Sequence, residues 1–80
     1  MTIPIESFIK ELEDALVLPT GRLAFDQKLS DLREFDSLSR LSVIAMCDSR
    51  YGFVLKVPDL DACKTVADLH LIVEKNATRV

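Results

Sequence analysis

Apolar residues recur at spacings of three and four positions in three separate segments of this chain, which is the period of an α-helix. In the first segment they are Ile5, Phe8, Ile9, Leu12, Ala15 and Leu16. The charged residues Glu6, Lys10, Glu13 and Asp14 are predicted to lie off this apolar face. Pro4 suits an early helical turn, and Pro19 and Gly21 end the pattern. The first segment therefore predicts an amphipathic helix.

The second segment predicts a helix from Ser37 to about Tyr51, with Asp36 as its N-cap and Gly52 as its stop. Helical spacing places along one side Leu41, Ile44, Cys47, Asp48 and Tyr51. Further apolar character comes from Leu38, Ala45 and Met46. This helix is too apolar for one that buries a single face. Either it packs centrally on several sides or part of its surface faces a partner.

The third segment predicts a last helix that begins after Thr65 as N-cap, with Asp68 taking the place of the Glu or Gln of a capping box. Its buried face is expected to comprise Val66, Leu69, Ile72 and Val73. Residues 53–58 alternate briefly like a strand but end at a proline, so they predict an extended connection that buries Phe53 or Leu55. A short helical turn around residues 59–63 is expected to follow.

The connection from Leu18 to Asp36 is long for a small domain, and such loops are commonly functional or disordered. Its apolar residues predict that it is ordered and pinned across the helices; they are Leu23, Phe25, Leu29, Leu32 and Phe35. A helical turn is expected around residues 30–33.

These segments predict an all-α fold, a small four-helix bundle of three main helices and one short helix with a long ordered loop between the first and second. A chain of 80 residues accommodates one domain, here residues 1–80. Apolar residues make up 49% and charged residues 29%, which is the balance of a globular chain. We expect a monomer.

The net charge of −3 disfavours nucleic acid and anionic membranes as partners. No apolar stretch is long enough to span a bilayer, and the N-terminus lacks the pattern of a secretory signal, so we expect a cytoplasmic protein. Cys47 and Cys63 form no Cys-x-x-Cys pair, and His70 is the single histidine. We therefore predict reduced cysteines and no metal site.

Ser37 lies between Asp36 and Leu38 where the long loop gives way to the second helix. An acid and a serine at this place also serve as an ordinary helix cap. A phosphate on Ser37 would be favoured there, because unpaired N–H groups and the positive end of the helix dipole lie at a helix N-terminus. No base is recognisable near Ser37, so the sequence predicts no catalytic residues and no enzyme.

The run Phe35-Asp36-Ser37-Leu38 resembles the attachment site of acyl carrier proteins. Three further features carry the resemblance across nearly the whole chain: the spacing from Ser37 to Tyr51 and Phe53, the Val57-Pro58-Asp59 junction, and Thr65-Val66-Ala67-Asp68-Leu69. The resemblance implies that Ser37 bears a 4′-phosphopantetheine arm, flanked by Asp36 and Leu38. A phosphopantetheinyl transferase would take the arm from coenzyme A. The arm would then carry an acyl group as a thioester.

Two features depart from that family. Glu34 occupies a position that is commonly glycine, and the second helix carries Arg40 and Arg50 against Asp48 alone, where fatty-acid carriers have an acidic stripe. Steering by an acidic helix is therefore not expected. We predict a specialised carrier for acyl ligases or synthases of one fatty-acid, polyketide or related pathway.

The docking surface of that carrier is predicted to comprise Leu38, Arg40, Leu41 and Ala45. Arg40 would either pair with an acid of the partner enzyme or remain a solvated surface charge. The alternative function is an unmodified carrier fold that serves as an interaction or regulatory subunit. The Asp-Ser-Leu triplet argues against that alternative, because an unmodified module has no need of serine there.

Overall fold

The structure is a computed structural model that describes residues 2–78. It consists of four α-helices, connected by extended segments and one 3-10 turn. The helices are α1 (Ile5–Leu16), α2 (Ser37–Tyr51), α3 (Val57–Ala62) and α4 (Val66–Asn76), and the 3-10 turn is Leu29–Asp31. No strand occurs in the described part of the chain; a single antiparallel bridge joins Lys28 and Thr65. The predicted all-α bundle with three main helices and one short helix is confirmed.

Helix α1 packs on α2 and α4 through its apolar face, with Phe8 and Leu12 fully buried. The prediction that Glu13 lies off this face is wrong. Glu13 is only 3% exposed, because the long loop folds back over it and the backbone amide of Leu23 donates a hydrogen bond of 3.0 Å to Glu13 Oε2. The helix ends at Val17, which adopts the left-handed conformation.

The buried face of α2 is rotated from the one that helical spacing predicted. Its buried residues are Val43, Met46, Cys47 and Tyr51. Leu41 is 60% exposed and Asp48 is also exposed, whereas Ile44 is half-buried. An all-round apolar helix has more than one possible buried face, and the positions of its neighbours select one. The boundaries and caps of α2 are as predicted, with Asp36 at its start and Gly52, at φ 69°, at its end.

The long loop is ordered by burial of Leu23, Leu29 and Leu32, and Phe35 packs partly against the core. Phe25 is 59% exposed, so its predicted burial is wrong. Backbone hydrogen bonds tie this loop to the start of α4: Leu29 N donates to Lys64 O, Val66 N to Gln27 O and Ala67 N to Phe25 O. These bonds hold the backbone of residue 25 at the surface.

Helix α3 begins at Val57, earlier than the predicted turn at 59–63, because a proline is tolerated in the first turn of a helix. The extended connection is thus shorter than predicted; it buries Leu55, and Phe53 is partly buried. Helix α4 has the predicted capping box, in which Thr65 Oγ1 accepts from Asp68 N and Asp68 Oδ2 accepts from Thr65 N. Its buried residues are Val66, Leu69 and Val73.

The short helices also bear on membrane insertion. Within residues 2–78, no helix combines the length and the apolar character needed to cross a bilayer.

Candidate functional site

Ser37 is the first residue of α2 and its side chain is exposed. The preceding residue, Asp36, has an extended backbone and caps the helix: its Oδ1 accepts a hydrogen bond of 2.9 Å from Ser39 N. Hydrogen bonds from the backbone amide of Ser39, and then from its side chain, lower the pKa of Asp36 below the ordinary 3.8. The cap therefore holds a carboxylate beside the serine and fixes where the helix begins.

Apolar side chains surround Ser37 on the surface. Leu38 is 75% exposed and Leu41, one turn further along α2, is 60% exposed. Val57, at the start of α3, is also exposed. A shallow groove of about 270 Å³ runs between the two helices and is lined by Ser37, Arg40, Leu41, Ile44 and Val57. Neighbouring large apolar side chains that are exposed mark an interaction surface.

Arg40 borders this groove, but it does not extend freely into solvent. Its guanidinium forms an ion pair with Asp61 on α3 and lies 5.8 Å from the centroid of the Phe35 ring. Its backbone amide donates to Asp36 O, the first hydrogen bond of the helix. The Arg40 side chain is thus held between Phe35, which precedes the N-cap, and Asp61 on α3.

Glu34 stands two positions before Asp36, at the position where acyl carrier proteins commonly have glycine. Its Oε1 is shielded from solvent and makes no hydrogen bond, and Arg22 Nη2 lies 3.8 Å from it as an ion-pair partner. This pair joins the first part of the long loop to the segment that leads into α2. The larger side chain at this position is accommodated by a charge partner from the same loop.

Groups that could make Ser37 a self-sufficient nucleophile are engaged elsewhere. The ring of His70 lies against Phe8, with centroids 5.5 Å apart, and its Nε2 is 2.6 Å from Ile3 O. Both cysteines are free and buried. Among the described residues, no three His, Cys, Asp or Glu side chains are grouped to hold a metal ion. The site therefore presents an exposed hydroxyl at a helix start, with apolar neighbours.

The family model described as phosphopantetheine attachment site matches residues 6–70, most of the chain and all of the site described above. The chain belongs to this family. Members carry a covalently attached 4′-phosphopantetheine, and their carrier domains are not catalytic themselves. Searches of curated proteins and of solved structures returned no match. The protein is a phosphopantetheine-carrying carrier protein whose family interacts with transferases and synthases.

The residues at the start of α2 fit a covalently attached phosphopantetheine. A phosphodiester needs an accessible hydroxyl and tolerates the N-terminal end of a helix, where backbone N–H groups and the helix dipole favour an anion. Ser37 meets both requirements, because it is exposed and opens α2. Other exposed serines are placed differently: Ser7 is the third residue of α1, whose start has no side-chain cap, Ser30 lies in the 3-10 turn, and Ser49 is in the last turns of α2.

The predicted site residues lie together on α2, and the fold adds a partner from another helix. Ser37, Leu38, Arg40 and Leu41 share one end of α2, as their spacing predicts. Ala45 is exposed further along the same helix. The sequence did not single out Asp61, since its only signal was an acid on a short predicted helical turn. A contact between Arg40 and a residue 21 positions away requires the tertiary fold.

Proposed function

We propose that Ser37 bears the 4′-phosphopantetheine arm, and that Asp36 and Leu38 are the flanking residues through which the transferase recognises it. The observation that carries this proposal is the position of an exposed Ser37 hydroxyl at the first residue of a capped helix, inside the matched region. A phosphopantetheinyl transferase would move the arm from coenzyme A to Ser37 Oγ: the serine hydroxyl would lose its proton to the transferase or to water, the new Oγ–P bond would form as the pyrophosphate bond of coenzyme A breaks, and adenosine 3′,5′-bisphosphate would leave. When attached, the arm supplies a terminal thiol that holds an acyl group as a thioester.

The residues of the chain itself fix and display the attachment point. Asp36 Oδ1 holds the first turn through Ser39 N, so the helix begins at a defined residue. The first-turn N–H groups lie where a phosphodiester on Ser37 would be stabilised, typically by a few tenths to about 1 kcal/mol. Because Ser37 is exposed, an enzyme active site can reach the arm without unfolding the bundle.

Delivery of the acyl group depends on docking of the carrier. We propose that partner enzymes contact the apolar side chains that follow Ser37, namely Leu38, Leu41 and Ala45, with Arg40 at their edge. Tethering raises the local concentration of the acyl group at each partner, so the carrier surface governs the encounter. This surface is charge-poor and apolar, which favours acyl ligases or synthases of one specialised fatty-acid, polyketide or related pathway. We also propose that the carrier acts as a monomer in the cytoplasm.

The decisive experiment is intact-mass analysis after incubation with coenzyme A and a broad-specificity phosphopantetheinyl transferase. The unsubstituted chain and Ser49→Ala should each gain one phosphopantetheine, and Ser37→Ala should gain none. Circular dichroism should show that all three are folded. Modification of Ser37→Ala would overturn the assignment of this serine. No gain in the folded unsubstituted chain would favour an unmodified interaction subunit.

A further inference from the structure

Both arginines of α2 are ion-paired within the chain. Arg40 pairs with Asp61 on α3, and Arg50 Nε lies 2.8 Å from Glu11 Oε2 on α1. The two pairs are at opposite ends of the helix and join it to different neighbours. The net positive charge that the sequence gives to this helix is therefore compensated from outside it.

The pair nearer the site lies where an enzyme would have to bind. Residues three or four positions apart on a helix are neighbours on its surface, so Arg40 and Leu41 are one turn from Ser37. An enzyme that reaches Ser37 must cover Leu38 and Leu41, which are both largely exposed. The Arg40 guanidinium is held to one side of them by Asp61 and by the Phe35 ring. Its side chain is 33% exposed and that of Asp61 is 48% exposed.

We propose that Asp61 is a specificity-determining residue: its ion pair with Arg40 neutralises the cation beside Ser37, so that the carrier docks through Leu38 and Leu41 on an apolar enzyme surface that has no acid for Arg40. This inference rests on the proposed function. Arg40 then pairs with Asp61 of its own chain and needs no acid from the partner enzyme. Asp61 acts through Arg40 and does not contact the arm.

The physical reason is the cost of covering an uncompensated charge. An enzyme that covers Leu38 and Leu41 removes water from the neighbouring Arg40. A charge that loses its water without a partner is strongly unfavourable, whereas a pair that already exists in the free carrier loses less. A prearranged pair therefore permits apolar docking next to a charged side chain. It also disfavours partners that rely on an acid to attract a cation on α2.

A charge cycle tests this inference, with the phosphopantetheinyl transferase as the probe. The rates to measure are kcat/KM for the unsubstituted chain, Arg40→Gln, Asp61→Asn and the double variant Arg40→Gln/Asp61→Asn. Each single variant leaves one charge without its partner and should lower kcat/KM by about tenfold. The double variant removes both charges and should fall within about twofold of the unsubstituted chain. Arg50→Gln, at the far end of α2, is the matched control and should leave the rate unchanged.

Three results would overturn the inference, two from kinetics and one from unfolding. If the double variant were as slow as Arg40→Gln and Asp61→Asn were unimpaired, Arg40 would contact the enzyme directly. If neither single variant changed the rate, the pair would have no part in docking. Urea unfolding of the four chains shows whether all are folded and whether the two substitutions are coupled; additive midpoints would also contradict the ion pair. If the unsubstituted chain gained no mass, the result would contradict attachment of the arm at Ser37. The urea unfolding of the four chains would still test whether Arg40 and Asp61 are paired.

Discussion

Glu13 Oε2 accepts a hydrogen bond of 3.0 Å from the backbone amide of Leu23, and both residues are buried. A buried carboxylate needs a hydrogen-bond partner, and a buried amide needs an acceptor. This one contact meets both requirements and attaches the long loop to the last turn of α1. The loop leads into Asp36 and Ser37, so its attachment helps to place the start of α2.

Replacement of Glu13 by alanine should lower the free energy of unfolding by about 2 kcal/mol, because the buried Leu23 amide loses its acceptor. Glu13→Gln keeps an acceptor oxygen and should lose less. Urea denaturation measures the stability, and amide hydrogen exchange at Leu23 should be faster in the alanine variant. Equal stability of Glu13→Ala and the unsubstituted chain would mean that this bond does not hold the loop.

Replacement of Val17 by glycine should stabilise the chain. Val17 has φ 58° and ψ 47°, the left-handed region, and is 89% exposed, so the substitution relieves strain and removes little packing. The strain is worth about 1–2 kcal/mol for an L-residue, and the added freedom of glycine when unfolded offsets roughly 0.5–1 kcal/mol of it. We expect a net gain of about 0.5–1 kcal/mol in urea denaturation. Val17→Ala is the control and should gain less; a loss with glycine would contradict this account.

Acid should weaken the cap of α2. Hydrogen bonds from Ser39 lower the pKa of Asp36 in the folded chain below 3.8, so its carboxylate favours folding above that pH and the contribution disappears as the pH falls through the folded pKa. Asn caps without a charge, so the stability difference between the unsubstituted chain and Asp36→Asn should shrink below pH 3.8. Urea midpoints at several pH values give that difference. Carboxyl NMR should show Asp36 titrating below 3.8; titration above it would refute the prediction.

Both thiols should be unreactive while the chain is folded. Burial, with a smaller contribution from Cys63, raises the pKa of Cys47 from 9.0 to about 12, and burial raises the pKa of Cys63 to about 11. The thiolate is the reactive form, so the Cys47 thiolate fraction at pH 8 is about a thousandfold lower than in an unfolded chain. A colorimetric disulfide reagent should therefore report two thiols only in urea. A rapid reaction without urea would show that a cysteine is accessible.

The same pKa values predict a loss of stability in base. Because the folded pKa of each thiol lies above its ordinary 9.0, folding is favoured fully below that pH and the advantage is lost as the pH rises towards the folded values. Urea midpoints should fall more steeply between pH 9 and 11 for the unsubstituted chain than for Cys47→Ala/Cys63→Ala. Parallel curves would contradict the raised values.

Local signals in the sequence were sufficient to predict the features that depend on residues close together along the chain. Asp36 and Gly52 delimit α2, and Thr65 with Asp68 caps α4, because each cap joins a side chain to a backbone group a few residues away. Period and spacing also identified the apolar face of α1. The short run from Phe35 to Leu38 indicated the family, since its residues act as one local motif.

Tertiary contacts decided the features that join distant segments. The burial of Glu13 depends on Leu23, ten residues away, and the pairing of Arg40 depends on Asp61 on another helix. No periodicity encodes such contacts, because they arise only when separate elements pack together. The buried face of α2 is decided in the same way: its sequence is apolar on several sides, and its packing against α1 leaves Leu38 and Leu41 at the surface. The sequence by itself thus determined the three main helices, the caps of α2 and α4 and the motif at Ser37, and the fold decided where α3 begins, which charges are paired and which apolar residues are exposed.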